Sequence, residues 1–136
     1  MIGPPAANPC GSCPYRRDVP SGVWARKEYL KLPAYDRETA LQPHGVFLCH
    51  QKTGSVCAGW CGTHDMPENL AIRLAGSMGM ASTETVDAIL DYSTETPLFA
   101  SGREACEHGL AEIKEPGLRA QAVMANLARK RREKKL

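Results

Sequence analysis

The sequence predicts a mainly α fold: a small metal-stapled N-terminal half with little strand, packed on a bundle of about four short helices. Three observations lead there. From Asp65 onward, apolar residues recur at three- and four-residue spacing between helix caps. The first 64 residues show almost no such periodicity and are rich in Pro and Gly. Five of the 6 cysteines, Cys10, Cys13, Cys49, Cys57 and Cys61, also fall in that first half. At 136 residues the chain is one domain. It divides into a Cys-rich segment (1–64), a helical segment of the same domain (65–128) and a basic tail (129–136). Aromatic residues make up only 6%, so the core is expected to rest on Leu, Val, Ile, Met and Ala, and largely in the helical half.

Residues 1–9 read as coil, and 10–20 as a cysteine turn ending at Pro20. Ser21 is placed to cap a helix running to about Leu32, which Pro33 stops. Trp24 and Tyr29 on it are expected to pack over the cysteine site. Asp36 is placed to cap a second short helix to Gln42. Val46-Phe47-Leu48 reads as a brief strand delivering Cys49, and Lys52-Thr-Gly-Ser55 as a turn. Ser55 then opens a helix on which Cys57 and Cys61 share one face.

Asp65-Met-Pro67-Glu68 combines a cap, an early Pro and a capping-box Glu, before an apolar stripe of Leu70, Ala71, Leu74 and Ala75 that stops near Gly76 or Gly79. A helix over Thr83–Tyr92 buries Val86, Ile89 and Leu90. Pro97 breaks the chain, and Ser101-Gly-Arg-Glu104 is another capping box. Cys106, Leu110 and Ile113 follow at i, i+4, i+7, which makes Cys106 a core thiol. Pro116 opens the last helix, with a broad apolar face from Leu118 through Ala122, Val123, Met124, Ala125, Leu127 and Ala128.

Clustered cysteines without a secretory leader point to metal ligands, not disulfides. Cys10-Gly-Ser-Cys13 is a C-x2-C turn; Cys49-His50, Cys57, Cys61 and His64 form the second group. The metal set is Cys10, Cys13, Cys49 and Cys57, with Cys61, His50 and His64 in reserve. The spacing is not a zinc ribbon, which would repeat C-x2-C. Zn2+ is the leading ion, and a [4Fe–4S] cluster, tolerant of irregular spacing, is the alternative. Thiol–disulfide exchange fits poorly, because no strand can precede Cys10 and Pro14 follows Cys13. An enzyme is the weaker reading. A zinc hydrolase or deaminase would need an open coordination position and a nearby general base. The deaminase pattern is half present, and Glu107-His108 lies far downstream.

Formal net charge is +2, yet six basic residues, Arg129, Lys130, Arg131, Arg132, Lys134 and Lys135, crowd the last eight positions and leave the remainder net negative. Such a tail suits DNA or RNA phosphates through non-specific, salt-dependent binding. The alternative is a solubilising helix end, whose dipole favours cations. No apolar run approaches the ~20 residues that span a bilayer. The N-terminus lacks a leader pattern, so the cytoplasm is expected.

Pro9-Cys10-Gly-Ser-Cys13-Pro-Tyr-Arg-Arg-Asp18, then Cys49-His50, then Cys57-Ala-Gly-Trp60 resembles an uncharacterised cysteine-motif domain of actinobacteria and their bacteriophages, over about residues 8–75. The resemblance implies that Cys10, Cys13, Cys49 and Cys57 are the shared thiols, that Cys61 is extra, and that the protein works in a bacterial cytoplasm, the host's if phage-encoded. It supplies no activity. Gly22-Val23-Trp24 is similar to a turn of the WhiB-like iron–sulfur regulators, which implies an iron–sulfur redox or sensing role as a rival. The expected function is therefore a small metal-binding, non-enzymatic accessory or regulatory protein that binds nucleic acid or a host protein.

Overall fold

A computed structural model describes residues 1–135. The chain is mainly helical: α1 (Arg26–Leu30), α2 (Ala58–Thr63), α3 (Leu70–Ser77), α4 (Thr83–Leu90), α5 (Gly102–Leu110) and α6 (Leu118–Lys135). Strand structure among the described residues is limited to isolated bridges, Gly3 with Ser55, Arg16 with Leu98, and Leu48 with Val56.

The C-terminal helices form much as their caps dictate. Ser82 accepts from the Thr85 amide at the start of α4, and Ser101 from the Glu104 amide at the start of α5. Glu104 closes the capping box one residue further back, on the Ala100 amide. The start of α3 departs from expectation. Pro67 directs residues Met66–Glu68 into a 3-10 turn, and Asn69, not Asp65, caps α3 through Ile72 N. Ala71, Ile72 and Ala75 then face the core. On α4, Ile89 is buried but Leu90 is 40% exposed. On α6, Leu118 is 84% exposed and the buried face narrows to Ala120 and Leu127, with Val123 and Met124 beside them.

The N-terminal half is less regular than its caps suggested. Ser21 does not cap its own segment. Its hydroxyl donates to the Gly109 carbonyl and accepts from the Glu112 amide, closing the C-terminal end of α5. The next residue, Gly22, has φ +81, so helix cannot start there. The helix starts at Arg26, and Pro33 continues the chain as a 3-10 turn, Leu32–Asp36, instead of stopping it. Asp36 likewise caps another element: its two carboxylate oxygens accept from the Gly102 and Arg103 amides of α5. Its own segment yields only a 3-10 turn, Thr39–Leu41. The 46–48 strand reduces to one bridge at Leu48. Cys57, not Ser55, stands at the N-cap of α2, while Ser55 closes the preceding turn through its amide to Lys52 O.

The core also differs from the composition-based expectation. Tyr15, Trp24, Tyr29, Tyr35, Phe47 and Trp60 are all buried, and Tyr15 packs edge-on to Phe47, as Tyr35 does to Trp60. These six rings all belong to the Cys-rich half. That half therefore buries a core without amphipathic periodicity, because its apolar side chains are divided between loops and helical turns of three to six residues.

Candidate metal centre

Two loops bring the cysteines together. In the first, the Cys13 amide donates to the Cys10 carbonyl, closing the C-x2-C turn. In the second, Cys49 N donates to Ser55 O and Cys57 N donates to Phe47 O, so Cys49 and Cys57 stand on opposite arms of a hairpin-like loop. Cys13 Sγ lies 3.8 Å from Cys57 Sγ. The Cys10 thiol lies close enough to the Cys13 and Cys49 thiols for each to shift its ionisation. The four thiols thus run as neighbours, Cys49–Cys10–Cys13–Cys57. Among the described residues, no three or more His, Cys, Asp or Glu side chains close on one point as a metal-holding group.

Backbone amides surround three of the four sulfurs. Cys49 Sγ accepts from the Gln51 amide (3.4 Å) and the Lys52 amide (3.3 Å). The Ser12 and Tyr15 amides serve Cys10 and Cys13 in the same way. Each amide stabilises negative charge on sulfur. The thiols oppose one another, however. Cys13 beside it pushes the Cys10 thiol up, helped by burial. Cys10 and burial push Cys49 up. At Cys13 the lowering hydrogen bond from Cys10 is outweighed by Cys57 and by burial. Without a cation between them, adjacent sulfurs cannot all ionise. Cys13 and Cys57 are buried, whereas Cys10 and Cys49 are half-buried. A cavity of about 340 Å3 reaches Cys10, Cys49 and Cys57 past Lys52 and Lys134.

Neighbouring residues fix this arrangement. Trp24 Nε1 donates to the Ser12 carbonyl between the first two cysteines, so Trp24 packs on the site. Tyr29 supports it from behind, its hydroxyl oxygen accepting from the Trp24 amide. Gly59 of α2 lets the helix backbone pass against Cys13; a Cβ there would overlap Cys13 Sγ and Tyr15. Gln51 Nε2 bonds Ser12 Oγ at 2.5 Å, tying the two loops together. Gly59 falls within the Cys57-Ala-Gly-Trp60 motif, whereas Gln51 is marked by nothing beyond its closeness to Cys49.

The reserve ligands lie elsewhere. His50 Nε2 is 2.8 Å from Glu28 Oε2, and its ring stacks on Trp24. His64 faces the Tyr15 hydroxyl (3.4 Å) and Asp36 (3.8 Å). Cys61 is buried, and its thiol is pushed up to about 12 by that burial. Cys57 and Cys61 are one turn apart, but the thiol facing Cys57 is that of Cys13. Cys106 is buried on α5, as a core thiol should be. His108 Nε2 is 2.7 Å from the Val19 carbonyl, so the Glu107-His108 pair is tied into the fold.

The basic residues are continuous with α6, which runs to Lys135 and returns to the cysteine loop. Lys134 Nζ donates to Gln51 O (2.6 Å), and Lys130 Nζ approaches Gln51 Oε1 (3.4 Å). The Arg131 guanidinium lies over the Trp24 ring at 5.9 Å. Arg129 turns to Asn126 and Glu133, and Arg132 is exposed. The Lys135 side chain lies outside the described residues.

Fold and site together define a small helical protein built round four neighbouring thiols. The chain belongs to a family of unknown function, DUF6283, whose model matches residues 5–131. The match therefore takes in the helical half as well as the cysteine motifs, beyond the 8–75 span of the motif resemblance. No curated protein and no solved structure matches the chain. No helix among the described residues is long and apolar enough to cross a membrane.

Proposed function

We propose that the chain is a small, non-enzymatic zinc protein whose Cys10, Cys13, Cys49 and Cys57 hold one structural Zn2+, and which acts by binding nucleic acid through the basic end of α6. The observation that carries the metal is the 3.8 Å between Cys13 Sγ and Cys57 Sγ. Tetrahedral zinc with Zn–S bonds of about 2.3 Å sets its sulfurs about 3.8 Å apart. The cysteine sulfurs of an iron–sulfur cubane sit on separate irons and stand farther apart. The amides aimed at Cys10, Cys13 and Cys49 support thiolates in these positions. The ion would draw the outer pair, Cys10 and Cys49, onto the centre that Cys13 and Cys57 already straddle. The cavity beside three of the thiols favours the iron–sulfur rival, because it offers room for a larger group.

Protein purified without oxygen decides between the readings. About one zinc per colourless chain is expected, lost in Cys13→Ser and Cys57→Ser and kept in Cys61→Leu. Iron with sulfide and visible absorption would replace zinc by the cluster. Absence of both metals would overturn both readings.

A further inference from the structure

We infer that the end of α6 and the Cys49–Lys52 loop together form a phosphate-binding cleft. This deepens the nucleic-acid part of the reading above and does not depend on the metal. The cleft has a volume of about 300 Å3 and is lined by His50 and Gln51 of the loop and by Leu127, Lys130, Arg131 and Lys134 of α6. Three permanent cations face it. The carboxylate in its wall, Glu133, is 4.0 Å from Arg129, and the nearby Glu28 is paired with His50 and Lys31. The acids are therefore engaged while the cations converge, so the cleft holds a surplus of positive charge.

Gln51 sets the geometry. Its two oxygens orient the Lys130 and Lys134 ammoniums, and each ammonium keeps further N–H donors for a ligand. Arg131 is steadied over Trp24 and presents a planar fork of donors suited to phosphate. Leu127, nearly buried, anchors the helix beneath. An isolated charged helix would hold none of these side chains in place. The ligand this chemistry selects is a phosphate group, carried either by a nucleic-acid backbone or by a small phosphorylated molecule. Arg129 and Arg132 stand outside the cleft. Arg132 contributes only to the general field, and Arg129 engages the Glu133 carboxylate.

The test is fluorescence anisotropy on the full chain, with a labelled single-stranded oligonucleotide and a labelled mononucleotide, across a salt series. The R131A/K134A double variant is expected to weaken binding at least about tenfold and to flatten the salt slope by about two phosphate contacts. R132A/K114A, at exposed positions outside the cleft, removes the same formal charge and should change binding less than about threefold. Oligonucleotide binding alone would make the ligand a backbone phosphate; equal mononucleotide binding would make it a small phosphorylated molecule. Both outcomes support the cleft. Equal losses in the two double variants would overturn the cleft and leave a diffuse basic surface. Failure of the wild-type chain to bind either probe would overturn the nucleic-acid reading with it.

Discussion

Gln51 joins three parts of the molecule through one residue. Its amide serves Cys49, its side chain reaches Ser12 between Cys10 and Cys13, and its two oxygens receive α6. His64 shows a different effect at the same scale. Its side chain is 9% exposed, and burial holds its imidazole below the ordinary value of 6.5, although Asp36 at 3.8 Å pulls the other way. The fold therefore prefers neutral His64, while the unfolded chain takes up a proton first as pH falls. The sign follows: this contribution to stability is whole above about pH 6.5 and is lost as pH drops toward the folded value. Denaturant midpoints measured from pH 7.5 to 5 should fall for the wild type. The fall should be shallower in His64→Gln, and an equal slope in both proteins would refute the assignment.

At the scale of elements, α5 is held at both ends by residues remote in sequence. Asp36 caps its first turn, at 2.7 and 2.8 Å from the Gly102 and Arg103 amides. Ser21 closes its last turn. A carboxylate at a helix N-terminus also meets the positive end of the helix dipole. Asp36→Ala should cost about 1–2 kcal/mol, read from chemical denaturation, with the Gly102 and Arg103 amides exchanging faster. Asp36→Asn should recover part of the loss. In the sequence both residues look like caps for the segments they precede, because a cap signature records side-chain chemistry and not the helix that uses it. Ser101 was legible because it caps the helix next to it.

For the whole molecule, the division at residue 64 marks a change of sequence texture and not a boundary of stability. Tyr15 O accepts from Phe99 N, Gly109 O accepts from Gly22 N, and α1 and the 3-10 turn Leu32–Asp36 pack on α5. Separately produced 1–64 and 65–136 should each lack cooperative unfolding, and mixing them should restore helical circular dichroism. A folded, cooperative fragment from either half would show that the core does divide. This interlocking also changes what a metal would do. With six aromatic rings of the Cys-rich half buried in this shared core, an ion would fix the loops and not substitute for packing.

The helical class, the start of α4 near Thr83, the capped start of α5, the cysteine motifs and the basic end of α6 are all legible along the chain. Each is a local signal, set by spacing along one element or by side chains within a few residues of the backbone they serve. Folding in three dimensions is what sets Cys13 against Cys57, His50 against Glu28 and His64 against Tyr15, turns Asp36 and Ser21 to α5, and returns α6 to the cysteine loop. Those pairings join residues 22 to 91 positions apart. Periodicity carries no record of such choices, because they follow from how irregular loops pack round a few large rings.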